Sequence, residues 1–167
     1  MTTKLNLFGA PDAYTIKALE EALSVALQKW RLTSGHTLQY WLRGYCACFA
    51  TTLLRFIGKP ATLGSVLAND GIVHHIVVTL GDLTIDARGV NTKESLLAEI
   101  NREAETHRYS LRAIDVIPFE LEHEYLLKIC PESELRRLRD CFNTPAMHHI
   151  RHRIKTVAVG RVQGGET

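Results

Sequence analysis

The chain has 167 residues, 46% hydrophobic and 23% charged, with a formal net charge of +2. This length suits one domain, 1–167, with a core of its own, and the small net charge gives no global field that would gather nucleic acid or an anionic membrane surface. No apolar run is long enough to span a bilayer, and the N-terminus has no continuous apolar region of the signal-peptide kind; the expected location is cytoplasmic, or one reached by export without a cleavable signal peptide.

Asp12 to Lys29 is the first expected helix. Asp12 supplies a cap, and Ile16, Leu19, Leu23, Ala26 and Leu27 recur at helical spacing as an apolar stripe. Gly35 and His36 end that pattern. Cys46 to Ile57 is a second helix, stopped by Gly58 and Pro60. Ala61 to Val66 suits a short strand. His74 to Leu80 and Leu83 to Asp86 read as two strands joined by the tight turn Gly81-Asp82. Asn91 to about His107 is a helix, with Asn91 as cap and Glu94 as its capping-box partner. Arg112 to Ile117 suits a strand and Phe119 to Ile129 a helix. Pro131 to Cys141 and Pro145 to Ile154 follow as helices opened by proline. Val157 to Val162 reads as a final strand, and the last residues as a frayed end. The total is an α+β fold, with helices packed on a small antiparallel sheet.

The four cysteines are Cys46, Cys48, Cys130 and Cys141. In a chain neither short nor secreted in appearance, an even count does not predict a disulfide framework. No pair of CxxC motifs marks a zinc site. On the second helix Cys46 shares a face with Phe49, Ala50, Leu53, Leu54 and Ile57, an apolar set expected to point inward. Cys48 falls on the other face with Thr51, Thr52 and Arg55, which is polar. Cys46 also stands in the first helical turn, where free N–H groups and the helix dipole favour a thiolate and can cradle an oxyanion. Judged by the helix alone, a small buried thiol is the commoner role for such a cysteine.

The hairpin supplies partners. With a two-residue loop Leu80 pairs with Leu83, and His75 and Asp86 become diagonal neighbours on one face, about 7 Å apart at Cα. The opposite face, with Ile76, Val78, Leu80, Leu83, Ile85 and Ala87, is the expected core face, and His74 leads it at the edge in a structural role. The His75 face also carries Val77, Thr79, Thr84, Asp86 and Arg88. A merely solvated sheet face would look the same, and a three-residue loop would swap the partner faces. Cysteine, histidine and carboxylate together have a nucleophilic logic. The imidazole takes the thiol proton, the carboxylate fixes its tautomer and orientation, and the thiolate attacks an acyl carbon. The candidate catalytic residues are Cys46, His75 and Asp86.

Four phrases occur in this order: Gly44-Tyr45-Cys46-Ala47-Cys48-Phe49-Ala50, Leu53-Leu54-Arg55-Phe56-Ile57-Gly58-Lys59-Pro60-Ala61, His75-Ile76-Val77-Val78 and Leu83-Thr84-Ile85-Asp86. Their order and wording resemble the transglutaminase-like superfamily, a branch of papain-like folds, over about a quarter to a third of the chain. The resemblance implies a papain-like/transglutaminase-like core. In it a Cys-bearing helix packs on an antiparallel sheet carrying His and Asp, with additional helices at both ends. It also implies a cysteine-dependent hydrolase or acyltransferase, protease-like or deamidase-like, that acts on amide bonds of a protein or peptide through a thioester, without cofactor or metal. The alternatives are a catalytically inactive protein-binding module on the same fold and transglutaminase-type cross-linking. An alignment on papain itself, whose nucleophile directly precedes an aromatic-Ala pair, selects Cys48 instead. Asp86 is followed by Ala87-Arg88-Gly89 rather than the family's usual phrase, so substrate preference does not transfer. Gln39, upstream of Cys46, is a candidate oxyanion donor of the papain kind.

Other features have plainer readings. His148 and His152 are four residues apart on a late helix and can share a metal, but no acid or cysteine joins them at ligand spacing. His148, His149 and His152 read as a polar helix face. Residues 131–155 carry six Lys/Arg and three acids without aromatic interleaving. A solvated face explains them better than nucleic acid does. Trp30, Tyr40 and Trp41 flank the approach to Cys46 and either wall a groove or fill the core edge. Asn69-Asp70-Gly71 reads as a turn, with a mobile lid as the alternative.

Overall fold

The computed structural model describes residues 11–110, 112–119, 128 and 130–160, the last four by their backbone alone. Among them α1 spans Ala13–Ser34, α2 Gln39–Arg43, α3 Cys46–Ile57, β1 Thr62–Ala68, β2 Val73–Leu80, β3 Leu83–Asp86, β4 Gly89–Thr92, α4 Lys93–Thr106, β5 Ala113–Pro118, α5 Glu132–Phe142 and α6 Pro145–Gly160.

Asp12 caps α1 as its sequence position implies, its Oδ1 accepting from the Thr15 N–H at 2.9 Å and its Oδ2 from the Thr15 hydroxyl at 2.9 Å. The helix outruns the expected Lys29 because Trp30 extends the buried stripe of Leu19, Leu23, Ala26 and Leu27 by one more turn. Gly35, at φ 74°, then closes it with its N–H on the Arg31 carbonyl, 3.0 Å away.

The five strands form one antiparallel sheet in the order β4-β3-β2-β1-β5. The two-residue turn holds, with Leu80 opposite Leu83 and Val78 opposite Ile85. The main core joins α1, α3, α5 and α6 to the sheet face that carries Leu63, Ile76, Val78, Leu80 and Ile85. On the opposite face Val66 and Val77 meet Leu96 of α4, with Ile100 and Val116 beside them. The His75 face is therefore covered by α4 rather than solvated. Gly64 of β1 lies on this side, where a Cβ would come within 2.7 Å of the Thr79 methyl.

Several expectations need correction. Thr92, not Asn91, caps α4, its Oγ1 accepting from the Ser95 N–H at 3.2 Å, because residues 89–92 pair with β3 as β4. The stretch 157–160 continues α6 instead of forming a strand; 161 and 162 lie outside the described residues. Most of the helix expected over 119–129 also lies outside them, and Phe119 extends the β5 ladder, donating to the Leu63 carbonyl at 3.1 Å. The Cys48 face of α3 is not a solvent face, since Cys48, Thr51 and Thr52 are all buried between layers. Cys48 forms a disulfide with Cys130, Cα to Cα 6.1 Å, against the expectation of no disulfide framework. The bridge ties α3 to the segment that opens α5, a pairing 82 residues apart that spacing alone does not reveal.

Candidate active site

The site starts from the unequal lengths of β2 and β3. β2 runs from Val73, but its register with β3 begins only at Val78, since β3 ends at Asp86 and turns at 87–88 into β4. The first half of β2 thus has β1 on one side and no β3 ladder on the other. The N-terminus of α3 lies at that open edge. Its N-cap, Tyr45, makes no side-chain cap, so the first-turn N–H groups are left to other acceptors. The backbone of Ile76 in β2 and of Ala47 in α3 lies close enough to the Cys46 sulfur to lower its pKa.

His75 and Asp86 meet as their diagonal placement predicts: Nε2 donates to Asp86 Oδ2 at 2.8 Å, with both side chains buried. The His75 ring lies close enough to Cys46 for each to shift the other's pKa. Because Nε2 is engaged by Asp86, Nδ1 is the nitrogen left for the sulfur. All three candidate residues are therefore brought together, in the order thiol, imidazole, carboxylate.

Their electrostatics reinforce one another. Burial pushes the Cys46 thiol up, but the His75 hydrogen bond and charge and the two backbone N–H groups outweigh it, and its pKa falls below the ordinary 9.0. Burial opposes a charged His75, yet Asp86 and Cys46 raise it from 6.5 to about 9. Burial likewise opposes a charged Asp86, and His75 and Arg88 hold it below the usual carboxylate range. These directions, a lowered thiol and a raised imidazole beside a carboxylate, favour a thiolate–imidazolium pair.

Arg88, which the sequence offers only as one more polar residue on the face, completes the site from behind. Its guanidinium pairs with Asp86 Oδ2, its backbone N–H donates to Asp86 Oδ1 at 2.8 Å, and Glu103 of α4 accepts from it at 3.1 Å. The signal was faint: a carboxylate and a guanidinium flanking a tight turn, and acids at helical spacing on the next helix. A cavity of about 190 Å³ adjoins this assembly, lined in part by Arg43, His74, His75, Arg88, Glu103 and His107.

The remaining candidates are placed elsewhere. Cys48 is held in its disulfide, which removes the alternative nucleophile. Gln39 is exposed at the start of α2, and its side chain makes no hydrogen bond to the triad among the described residues. Trp30 and Trp41 are fully buried core residues, while Tyr40 is half-buried and stacks on Tyr45 at 4.6 Å between ring centroids. Asn69-Asp70-Gly71 is a pinned turn, Asp70 accepting from Ile72 at 2.9 Å and bonding His74 at 2.8 Å. His74 is exposed and bonded to that turn. His148 bonds Asn143 at 2.6 Å, His149 and His152 are exposed, and no group of three or more metal-binding side chains occurs among the described residues. Within the basic segment, Arg139 pairs with Glu132, and Arg153 lies near Asp12 at 3.6 Å. No helix among the described residues is long and apolar enough to cross a membrane. In comparisons with known proteins, no family model, no curated protein and no solved structure matches the chain.

Proposed function

We propose that the protein is a cysteine-dependent hydrolase or acyltransferase acting on amide bonds of a protein or peptide, with Cys46 as nucleophile, His75 as acid–base and Asp86 as the orienting carboxylate. The observation that carries this reading is the placing together of Cys46, His75 and Asp86, with His75 Nε2 on Asp86 Oδ2 at 2.8 Å, His75 and Cys46 shifting each other's pKa, and Cys46 at the N-terminus of a helix. A papain-like/transglutaminase-like core is part of the same proposal. It is supported by a Cys-bearing helix on an antiparallel sheet whose adjacent strands bear His and Asp.

In the acylation step the thiolate attacks the amide carbon, and the carbonyl electrons move onto oxygen. The Cys46 N–H and its first-turn neighbours stabilise that oxyanion. The tetrahedral centre collapses, the C–N bond breaks, and the His75 imidazolium delivers its proton to the leaving nitrogen. His75, now neutral, removes a proton from water as it attacks the thioester; the C–S bond breaks, the acid is released, and the thiolate and the His75 imidazolium are restored. Proteolysis and side-chain deamidation share these steps. An amine in place of water gives cross-linking.

The test is the pH dependence of iodoacetamide labelling, located by peptide mass spectrometry, in wild type and His75→Ala. Buried Cys141 and the bridged pair Cys48–Cys130 serve as internal references. Rapid Cys46 labelling with a depressed apparent pKa that rises in His75→Ala supports the enzyme. An ordinary or inert Cys46 removes the catalytic assignment and favours a binding module on the same fold.

A further inference from the structure

We infer that Arg88, braced by Glu103, is a positioning residue for this site: it fixes both oxygens of Asp86 and so holds the carboxylate where it can orient His75. The inference rests on the catalytic reading above and deepens it.

Asp86 Oδ2 is shared between His75 Nε2, at 2.8 Å, and the Arg88 guanidinium, while Oδ1 accepts from the Arg88 backbone N–H at 2.8 Å. The carboxylate therefore has both oxygens engaged in one orientation. A second, opposed set of contacts holds Arg88. Glu103 accepts from its Nη2 at 3.1 Å and from its Nε at 3.4 Å, and Glu99 stands 3.9 Å away. The guanidinium fork thus spans from the β3–β4 turn to α4, a geometry that a lysine cannot copy. Charges alternate along the line: thiolate, imidazolium, carboxylate, guanidinium, carboxylate. Arg88 is only 10% exposed, so its pairing with Asp86 is little screened. Arg43, His74 and His107 line the same cavity as His75 and Arg88. Of these, Arg43 and His107 bond each other and His74 bonds Asp70.

The network separates positioning from a simple through-space charge. Glu103 is 36% exposed, so Glu103→Gln is a mild change at a partly solvated rim. It removes a negative charge, and charge alone would lower the apparent pKa of the Cys46 thiol. If Glu103 acts by bracing Arg88, its loss loosens Asp86 and then His75, and the thiol pKa rises instead. The experiment reads Cys46 labelling by iodoacetamide against pH in wild type, Glu103→Gln, Arg88→Met and Arg88→Lys, with the fold checked by circular dichroism. The expected result is a higher apparent pKa in Glu103→Gln, and one raised further in Arg88→Met. A one-unit rise makes labelling about tenfold slower below the pKa. Arg88→Lys should recover only part of the loss. A Glu103→Gln profile that is unchanged or shifted down overturns the inference, even if Arg88→Met fails to fold. A wild-type Cys46 that behaves as an ordinary thiol overturns the catalytic reading itself, and the two failures are distinct.

Discussion

The ion pair makes a prediction about stability that is independent of any substrate. In the folded chain His75 titrates at about 9 instead of 6.5. From pH 6.5 to about 9 the native state thus holds a proton that the unfolded state has lost. This contribution is fully present below 6.5 and fades as pH rises through the folded value. Cys46 works the other way. Its folded pKa lies below the ordinary 9.0, so its contribution is present above 9.0 and fades as pH falls through the lowered value. Where the two windows overlap their slopes oppose, and wild-type stability should change less with pH there than it would with either group alone. Cys46→Ala removes one slope and leaves the other, reduced, because Asp86 still holds His75 above 6.5. The whole His75 displacement corresponds to about 3 kcal/mol. With Cys46 gone and Asp86 retained, part of that survives, so the variant should lose stability as pH rises through this range, by less than the whole, while wild type changes less. Urea unfolding in steps between pH 6 and about 9.5, without reductant so that the Cys48–Cys130 bridge stays closed, measures this directly. Parallel pH profiles for wild type and Cys46→Ala would refute the thiolate–imidazolium pair.

Three further substitutions probe the frame around the site. Glu134→Leu should cost about 1–3 kcal/mol in denaturant unfolding, because the buried Trp30 Nε1–H, now donating to Glu134 at 3.1 Å, loses its acceptor; Glu134→Gln, which keeps a carbonyl there, should cost less. Gly64→Ala should lower thermal stability by about 1–3 kcal/mol, since its Cβ would stand 2.7 Å from the Thr79 methyl and 3.1 Å from Val116. Cys130→Ser should destabilise by about 2–4 kcal/mol, as expected for a bridge closing a long loop, and reduced wild type should unfold with the same midpoint as the variant.

What was legible in the sequence was what periodicity controls. The α3 bounds of Cys46–Ile57 followed from apolar spacing and the Gly58 stop, and the hairpin register followed from a two-residue turn. Together these put His75 beside Asp86. What stayed hidden depends on contacts between segments distant in sequence. Thr51, Thr52 and Cys48 look like a polar helix face, but α3 is buried on more than one side, where small hydroxyls can bond back to their own helix, as Thr52 does to the Cys48 carbonyl at 2.8 Å. The bridge to Cys130 depends on where α5 docks. The role of Arg88 depends on α4 crossing the His75 face, which nothing in the pattern of the hairpin announces.

The location of the site follows from a mismatch in strand length. β3 and β4 are four residues each and fold back on one another at 87–88, whereas β2 has eight residues. A longer β3 would have paired with the first half of β2 and consumed the Ile76 N–H in the ladder. Its early turn leaves that N–H outside a β3 ladder, close enough to the Cys46 sulfur to lower its pKa, and places Asp86 at the tip against His75 with Arg88 paired to it. The core face of β2 anchors α3 through Ile76 and Val78, while His75 projects to the other side and reaches the thiol only because the sheet has an edge there. A thiol from one layer and an imidazole from the opposite side of the sheet can meet at such an edge and nowhere in the middle of a paired sheet. Extending β3 by one pair of residues before its turn, with the hydrophobic pattern kept, should therefore separate Cys46 from His75. Cys46 would return toward an ordinary thiol in the labelling assay while the main core, which lies on the other face, keeps the fold intact.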